Sequence, residues 1–148
     1  MILVLIFAPM PRIMGIDYGT KRTGIAVTDP LQIIASGLTT IPTAEVFDFL
    51  SAYFREEEVE KVVVGEPLYP DGNPAQIAHL VKGFVNKLRK MFPSIEVVLH
   101  DERFTSEAAK SIILQSGIGK KKRRDKSLVD RISAALILED YLKSIGKF

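Results

Sequence analysis

IMGIDYGTKRTGIAVT, at residues 13–28, is the stretch that decides how this 148-residue chain folds. The apolar run from Ile13 to Ile16 ends at Asp17, and a second run with β-branched residues, from Gly24 to Thr28, follows a basic turn at Lys21-Arg22. Two apolar runs separated by a short turn predict a β-hairpin. Asp17 therefore ends a strand beside a glycine-containing turn, and its carboxylate is expected at the edge of the sheet.

The rest of the chain predicts one more strand and then alternating helices and strands. The predicted elements are a strand over 33–41, a helix over 43–55, a strand over 61–64, a helix ending near 91, a strand over 95–99, a helix from 105 or 106 to 115 and a last helix over 127–144. This order favours an α/β fold with a mixed five-stranded sheet flanked by helices. The length suits a single domain over 1–148.

The composition excludes several kinds of site. The chain has no cysteine, which excludes disulfides, zinc-thiolate sites and iron–sulfur clusters. His79 and His100 are its two histidines, so a histidine-rich metal site is excluded as well. Any metal is therefore expected to be a hard divalent cation, Mg²⁺ or Mn²⁺, held by carboxylate oxygens.

A basic block lies near the C-terminal end, with only Asp125 to offset its charge. Its members are Lys120, Lys121, Lys122, Arg123, Arg124 and Lys126. On an otherwise mildly acidic chain, such a block indicates a nucleic-acid partner reached through one loop. A solvated charge run without a partner is the alternative.

The first nine residues, MILVLIFAP, are apolar throughout. They are too short to span a bilayer and lack the basic leader and the cleavage site of a signal peptide. We therefore expect no membrane partner. Residues 1–9 are interpreted as an over-called N-terminal extension that precedes a natural start at Met10, with an added strand segment as the alternative.

Carboxylates stand at the ends of the predicted strands. Asp101 and Glu102 directly follow the strand over 95–99, and strand alternation points them to opposite sides. We expect Glu102 to face the same cleft as Asp17. Each acid also has a structural interpretation: Asp17 could bond its own turn, and Asp101 and Glu102 could favour the positive start of the next helix.

Asp130 lies in the first turn of the last helix, on the apolar side of that helix. A buried carboxylate there needs a cation, a backbone donor or a metal as its partner. A capping box from Ser127 to Asp130 is an equally good interpretation. Glu66, which follows the strand over 61–64, is a fourth candidate acid or only a turn residue before Pro67.

Taken together, these acids indicate a nuclease. Two-metal phosphodiester hydrolysis needs several carboxylates that converge from different elements on divalent cations. Lys21, Arg22 and Arg103 stand beside the acids and are candidates for binding substrate phosphates, with the basic block tracking the backbone. Ordinary surface charge is the alternative for these cations.

Four motifs, in order, resemble the YqgF/RuvX family, whose members are described as pre-16S rRNA nucleases and formerly as Holliday junction resolvases. They are GIDYGTKRTGIAV at 15–27, VGEPL at 64–68 with Asp71-Gly72, DERFTS at 101–106, and Asp130 within 129–142. The set spans nearly the whole chain from Met10. As a set these motifs are highly specific.

The resemblance implies an RNase H-like fold, a cytoplasmic location, a catalytic metal site at Asp17, Glu102 and Asp130, and processing at the 5′ end of pre-16S rRNA. One departure is Glu66, where the family more usually has leucine, so either Glu66 or Glu102 could supply the second carboxylate. The expected substrate-binding residues are Lys21, Arg22, Arg103, Thr105, Lys120, Lys121, Lys122, Arg123 and Arg124.

Three other functions stay open at this point. A DNA enzyme that cuts four-way junctions would act as a homodimer, whereas an RNA nuclease could be a monomer. A non-catalytic nucleic-acid-binding module would bind without metal and without the three acids. Residues 17–20 also resemble the phosphate-contacting hairpin of sugar kinase and actin-like ATPases, but such proteins need two related domains and this chain provides one.

Overall fold

The computed structural model describes residues 10–32, 34–68, 75–103, 105–115 and 126–146. Within these ranges there are five strands: β1 Arg12–Tyr18, β2 Arg22–Thr28, β3 Ala35–Pro42, β4 Val59–Glu66 and β5 Glu96–Asp101. The same ranges contain four α-helices: α1 Val46–Glu56, α2 Ala78–Met91, α3 Thr105–Gln115 and α4 Lys126–Ser144. A short 3-10 turn, Thr43–Glu45, precedes α1.

The strands form one mixed sheet in the order β3-β2-β1-β4-β5. The hairpin β1-β2 and the β2-β3 pair are antiparallel, while β1-β4 and β4-β5 are parallel. Parallel neighbours require crossover connections, and α1 and α2 lie in the segments that lead into β4 and β5. As a result, β1, β4 and β5 all end at the same edge of the sheet.

Strand alternation divides the core into two layers. Val62 and Val64 of β4 pack with α1 and α2 on one face, whereas Val63 packs with α4 on the other. On the first face, α2 buries Val81, Phe84, Val85 and Leu88 at helical spacing. The Phe84 ring contacts the Tyr18 ring at a centroid distance of 4.7 Å, which ties α2 to the end of β1.

The last helix, α4, crosses the second face diagonally and contacts all five strands. Near its start, the Thr40 hydroxyl of β3 donates to the Ser127 carbonyl at 2.7 Å. Near its end, His100 Nε2 of β5 lies 2.6 Å from an Asp140 carboxylate oxygen. One helix therefore links the two edge strands of the sheet.

Glycines in the central strands allow α4 to lie very close to the sheet. A Cβ built on Gly15 of β1 would stand 2.8 Å from both the Ala134 carbonyl oxygen and Leu138 Cβ. A Cβ on Gly24 of β2 would collide with the Asp130 carbonyl. Because backbone atoms cannot rotate away as a side-chain end can, the close packing of α4 requires both positions to lack side chains.

The predicted order of elements is confirmed, and the differences lie at the ends of elements. β4 extends beyond the apolar run at both ends because Val59 pairs with Arg12 of β1 and Glu66 pairs with Asp101 of β5. The interpretations of residues 1–9 and of the basic block at 120–124 concern parts of the chain outside the described residues. Among the described helices, none combines the length and the apolar character needed to cross a bilayer.

Gly24→Ala should lower the free energy of unfolding by about 3 kcal/mol, because its methyl group meets the backbone of α4. The matched control is Gly83→Ala within α2, where a Cβ would have no neighbour within 4 Å. That control should be stabilising by about 0.5–1 kcal/mol, since alanine is the better helix residue. Urea unfolding of both variants measures the difference, and equal stabilities would contradict the close-packing argument.

Candidate active site

Asp17 lies on the α4 face of the sheet, near the end of β1. It pairs with Gly24 of β2 and follows Gly15 by two residues, so it shares their side of the sheet. On its other flank, Ile16 pairs with Val64 of β4, which brings Asp17 level with Gly65. The Asp17 side chain therefore has a glycine on each neighbouring strand.

Glu102 reaches Asp17 from β5 by passing over β4. Its backbone N–H donates to the Glu66 carbonyl at 3.2 Å, and its own carbonyl accepts the Thr105 hydroxyl at 2.8 Å. A Cβ on Gly65 would stand 2.7 Å from Glu102 Oε2, so the carboxyl group occupies the space that a side chain would fill. The absence of a side chain at Gly65 thus opens the path between the two acids.

The carboxyl groups of Asp17 and Glu102 are hydrogen-bonded to each other. Burial raises the pKa of Glu102 to about 9, and the negative charge of Asp17 adds to the rise. Burial also raises the pKa of Asp17 to about 6, although the hydrogen bond from Glu102 opposes this shift. At neutral pH Glu102 therefore keeps its proton and donates a hydrogen bond to the Asp17 carboxylate.

Asp130 is the third acid, and it forms a salt bridge with a cationic side chain. Arg22 Nε donates to Asp130 Oδ2 at 3.0 Å, in a pair whose side chains are 39% and 22% exposed. The Arg22 guanidinium is therefore the partner that the Asp130 carboxylate needs on the apolar side of α4. The charge of Asp130 still acts on Asp17, since it contributes to the raised Asp17 pKa.

The structure keeps two other acids away from this pair. Glu66 shares the strand face of Val62 and Val64, and it lines a small cavity against Ala78, Val81 and Lys82 of α2. Asp101 accepts two hydrogen bonds from Arg103, at 2.9 Å from the amide and 2.8 Å from Nε. Hydrogen bonding to Arg103 lowers the pKa of Asp101. Glu102, and neither of these acids, is in contact with Asp17.

The predicted phosphate-binding residues have different surroundings. Lys21 is exposed, Arg22 is paired with Asp130, and the Arg103 guanidinium is bonded to Asp101. The Thr105 hydroxyl donates to the Glu102 carbonyl, which anchors the segment that carries Glu102. Lys120, Lys121, Lys122, Arg123 and Arg124 lie outside the described residues.

Asp17, Glu102 and Asp130 are oxygen donors, the kind of ligand that a hard divalent cation prefers. Across the described part of the chain, no group of three or more Asp, Glu or His side chains is arranged to hold a metal. Asp17 and Glu102 are nevertheless two half-buried carboxyl groups in contact, and both can be ionised at little cost only beside added positive charge. Asp130, now compensated by Arg22, is the third oxygen donor nearby.

The sequence interpretation overlooked the glycines of this site. Gly65 directly follows the predicted strand over 61–64, and its missing side chain makes room for the Glu102 carboxyl group. The signal was present in the sequence, because glycines occur at 15, 24 and 65, each within or directly after a predicted strand. Glycine inside a strand indicates close approach of another group.

Comparison with known proteins gives a consistent result. A family model described as RuvX, Holliday junction resolvase, matches residues 11–144. A protein of Flavobacterium johnsoniae named "Putative pre-16S rRNA nuclease" is 55% identical over 135 residues, which cover 91% of this chain and 98% of that protein. A protein of the same name from Porphyromonas gingivalis is 52% identical over 133 residues, covering 90% of this chain and 96% of that protein.

Among solved structures, the fold is similar to that of RuvC from Thermus thermophilus. RuvC in complex with a Holliday junction substrate aligns with a TM-score of 0.54 at 20% identity, covering 93% of this chain and 97% of that one. A second RuvC structure from T. thermophilus aligns with a TM-score of 0.50 at 16% identity, covering 92% and 97%. At these identities the similarity concerns the fold, and it confirms the predicted RNase H-like class.

Glu102→Gln should raise the melting temperature by about 3 °C or more at pH 8 in metal-free buffer. The folded chain favours the protonated form of Glu102. The free energy of unfolding of the wild type therefore falls as the pH rises from the ordinary pKa of 4.5 to the raised value of about 9. Glutamine keeps a donor toward Asp17 and carries no charge at any pH.

The advantage of Glu102→Gln should disappear near pH 4, where Glu102 is protonated in both the folded and the unfolded chain. Glu56→Gln, at an exposed position at the end of α1, is the control and should melt like the wild type at both pH values. Thermal unfolding followed by circular dichroism makes the measurement. A Glu102→Gln variant that melts below the wild type at pH 8 would contradict the assigned burial.

Proposed function

Since the chain belongs to the RuvX family, we propose that it is a divalent-cation-dependent nuclease that hydrolyses phosphodiester bonds at the 5′ end of pre-16S rRNA. The names of its relatives and the family description support nuclease activity. A ribosomal RNA precursor as substrate would place the protein in the cytoplasm. The one observation that carries the proposal is the hydrogen-bonded carboxyl pair of Asp17 and Glu102 beside Asp130.

The three acids, each half-buried, would hold Mg²⁺ or Mn²⁺. When bound, such cations activate a water molecule and stabilise the leaving oxygen in phosphodiester hydrolysis. The chain contributes a site in which nearby backbone and α4 limit the access of bulk water to the carboxyl groups of Asp17 and Glu102. Burial of this kind strengthens every charge interaction inside the site.

Arg22 would have two partners in turn. Without substrate, its guanidinium is bonded to Asp130 at 3.0 Å. A substrate phosphate is a second anion that the planar Arg22 guanidinium could bind. The Arg22 side chain is exposed enough to reach such a phosphate. Transfer of Arg22 from Asp130 to phosphate would leave the Asp130 carboxylate available as a ligand. Substrate binding and completion of the site would then be coupled.

A second substrate class has its own support, since the family model is described as a Holliday junction resolvase. A resolvase must cut two strands symmetrically, so it would act as a homodimer. An rRNA nuclease needs one active site for each cut, and a monomer suffices. The oligomeric state during cleavage therefore helps to separate the two proposals.

Asp17→Asn should abolish cleavage of labelled pre-16S 5′-leader RNA in Mg²⁺ or Mn²⁺, with a loss of at least about 10³-fold. Wild type should cut this RNA, should stop in EDTA and should leave 5′-phosphate and 3′-hydroxyl ends. A synthetic four-way DNA junction is assayed in parallel. Glu60→Gln, at an exposed position of β4 far from the site, is the control and should cut normally.

Each outcome of this assay decides between the proposals. Preferred cutting of the junction by a dimer would replace the RNA substrate with branched DNA. A 2′,3′-cyclic phosphate product would contradict hydrolysis by an attacking water. Equal binding of wild type and Asp17→Asn with no cutting in any metal would show a binding module instead of an enzyme.

Arg22→Ala should bind Mn²⁺ more tightly than wild type in the absence of nucleic acid, yet cut RNA at least about tenfold more slowly at limiting substrate. The first effect follows because Asp130 loses its competing cation, and the second because the phosphate loses a partner. Lys90→Ala in the last turn of α2 is the control for lost positive charge. Calorimetric titration and single-turnover cleavage measure the two effects, and weaker Mn²⁺ binding would contradict the proposed exchange.

A further inference from the structure

Ser133 of α4 is the buried polar side chain that the site described above leaves unexplained. It is 1% exposed, and its hydroxyl oxygen has no hydrogen-bond partner. Serine hydroxyls in helices ordinarily bond a backbone carbonyl or water when they are buried. An unpaired hydroxyl in this position destabilises the fold, so its presence calls for a role outside packing.

Helical geometry places Ser133 over Asp17. Asp130, Ser133 and Ile137 follow one another at intervals of three and four residues and therefore share one face of α4. Asp130 lies against Gly24 of β2, and Ile137 Cδ1 lies against Gly65 of β4. Those two glycines flank Asp17 on either side, so the residue between Asp130 and Ile137 lies above β1 at this level.

Glu102 lies under the same stretch of α4. A Cβ on Gly65 would stand 2.7 Å from both Glu102 Oε2 and Ile137 Cδ1, so the Glu102 carboxyl group and the Ile137 side chain meet over Gly65. Ser133 precedes Ile137 by one helical turn on that side. Ser133 therefore lies over the same level of the sheet as the hydrogen-bonded acids.

Packing alone does not account for a serine at this position. The next two residues of α4 are Ala134 and Ala135, and Ala134 is completely buried against the sheet. Alanine is the stronger helix former and has no hydroxyl to leave unpaired. If packing were the only requirement at position 133, alanine would serve there as it does at the next two positions.

We propose that Ser133 is a positioning residue whose hydroxyl donates a hydrogen bond to the Asp17–Glu102 pair when the two carboxyl groups separate to hold a divalent cation. This inference rests on the proposed function, because it assigns the cation to these acids. In the structure the two carboxyl groups bond each other, and the Ser133 hydroxyl has no hydrogen-bond partner. Groups that orient metal ligands by hydrogen bonding affect metal affinity strongly.

The test is calorimetric titration of Mn²⁺ into the full-length chain, with wild type compared to Ser133→Ala. Mn²⁺ affinity should fall by about tenfold or more in the variant, while the melting temperature without metal stays equal or rises because an unpaired hydroxyl has been removed. Ser144→Ala is the matched control, since that exposed serine of the same helix bonds only the nearby Tyr141 carbonyl at 2.6 Å. The control should bind Mn²⁺ like the wild type.

Three results would overturn the inference. The first is an Mn²⁺ affinity of Ser133→Ala within about threefold of wild type. The second is a weaker affinity together with a lowered melting temperature, which indicates a packing role. A wild type that does not bind Mn²⁺ at all would overturn it too. The readout is independent of substrate. If wild type binds Mn²⁺ in a Ser133-dependent way but cuts neither RNA nor DNA, the proposed function fails and the role of Ser133 stands.

Discussion

The close approach of α4 to the sheet is the constraint on which the rest of the structure depends. At Gly15 and Gly24 the helix backbone occupies the space of a missing Cβ, so the helix can cross the sheet almost in contact with β1 and β2. This packing brings Asp130 to the level of Asp17, although 112 residues separate them in the chain. With side chains at these glycines, the helix would have to move away and the acids would no longer share a site.

The close packing of α4 against the sheet also changes the acidity of Asp17 and Glu102. Bulk water that would otherwise solvate the carboxyl groups of Asp17 and Glu102 is displaced by helix and sheet, and the pKa of each rises as a result. The fold therefore keeps two partly desolvated acids in contact, an arrangement that lowers its stability. Carboxyl groups with pKa values raised by burial are typical of functional sites, because stability and function make opposite demands on the same residues.

Local patterns were sufficient for the elements and for part of the site. The hairpin, the helices and the choice of Glu102 over Asp101 followed from hydrophobic periodicity and strand alternation, which act over a few residues. They could not predict where the Glu66 side chain lies. Glu66 is at the same edge of the sheet as Asp17, but it is on the face of β4 that packs against α2. Local patterns also could not identify the partner of Asp130, because Arg22 lies 108 positions away in the chain.

The sequence by itself therefore determined the order of strands and helices, the oxygen-only character of any metal site and the family to which the chain belongs. The tertiary structure alone decided that Glu102 crosses β4 over Gly65, that Arg22 compensates Asp130, and that the Ser133 hydroxyl is buried without a partner. The physical reason is one of range. Periodicity and turn chemistry act between neighbours in the chain, whereas desolvation and steric fit depend on segments that meet only when α4 closes over the sheet.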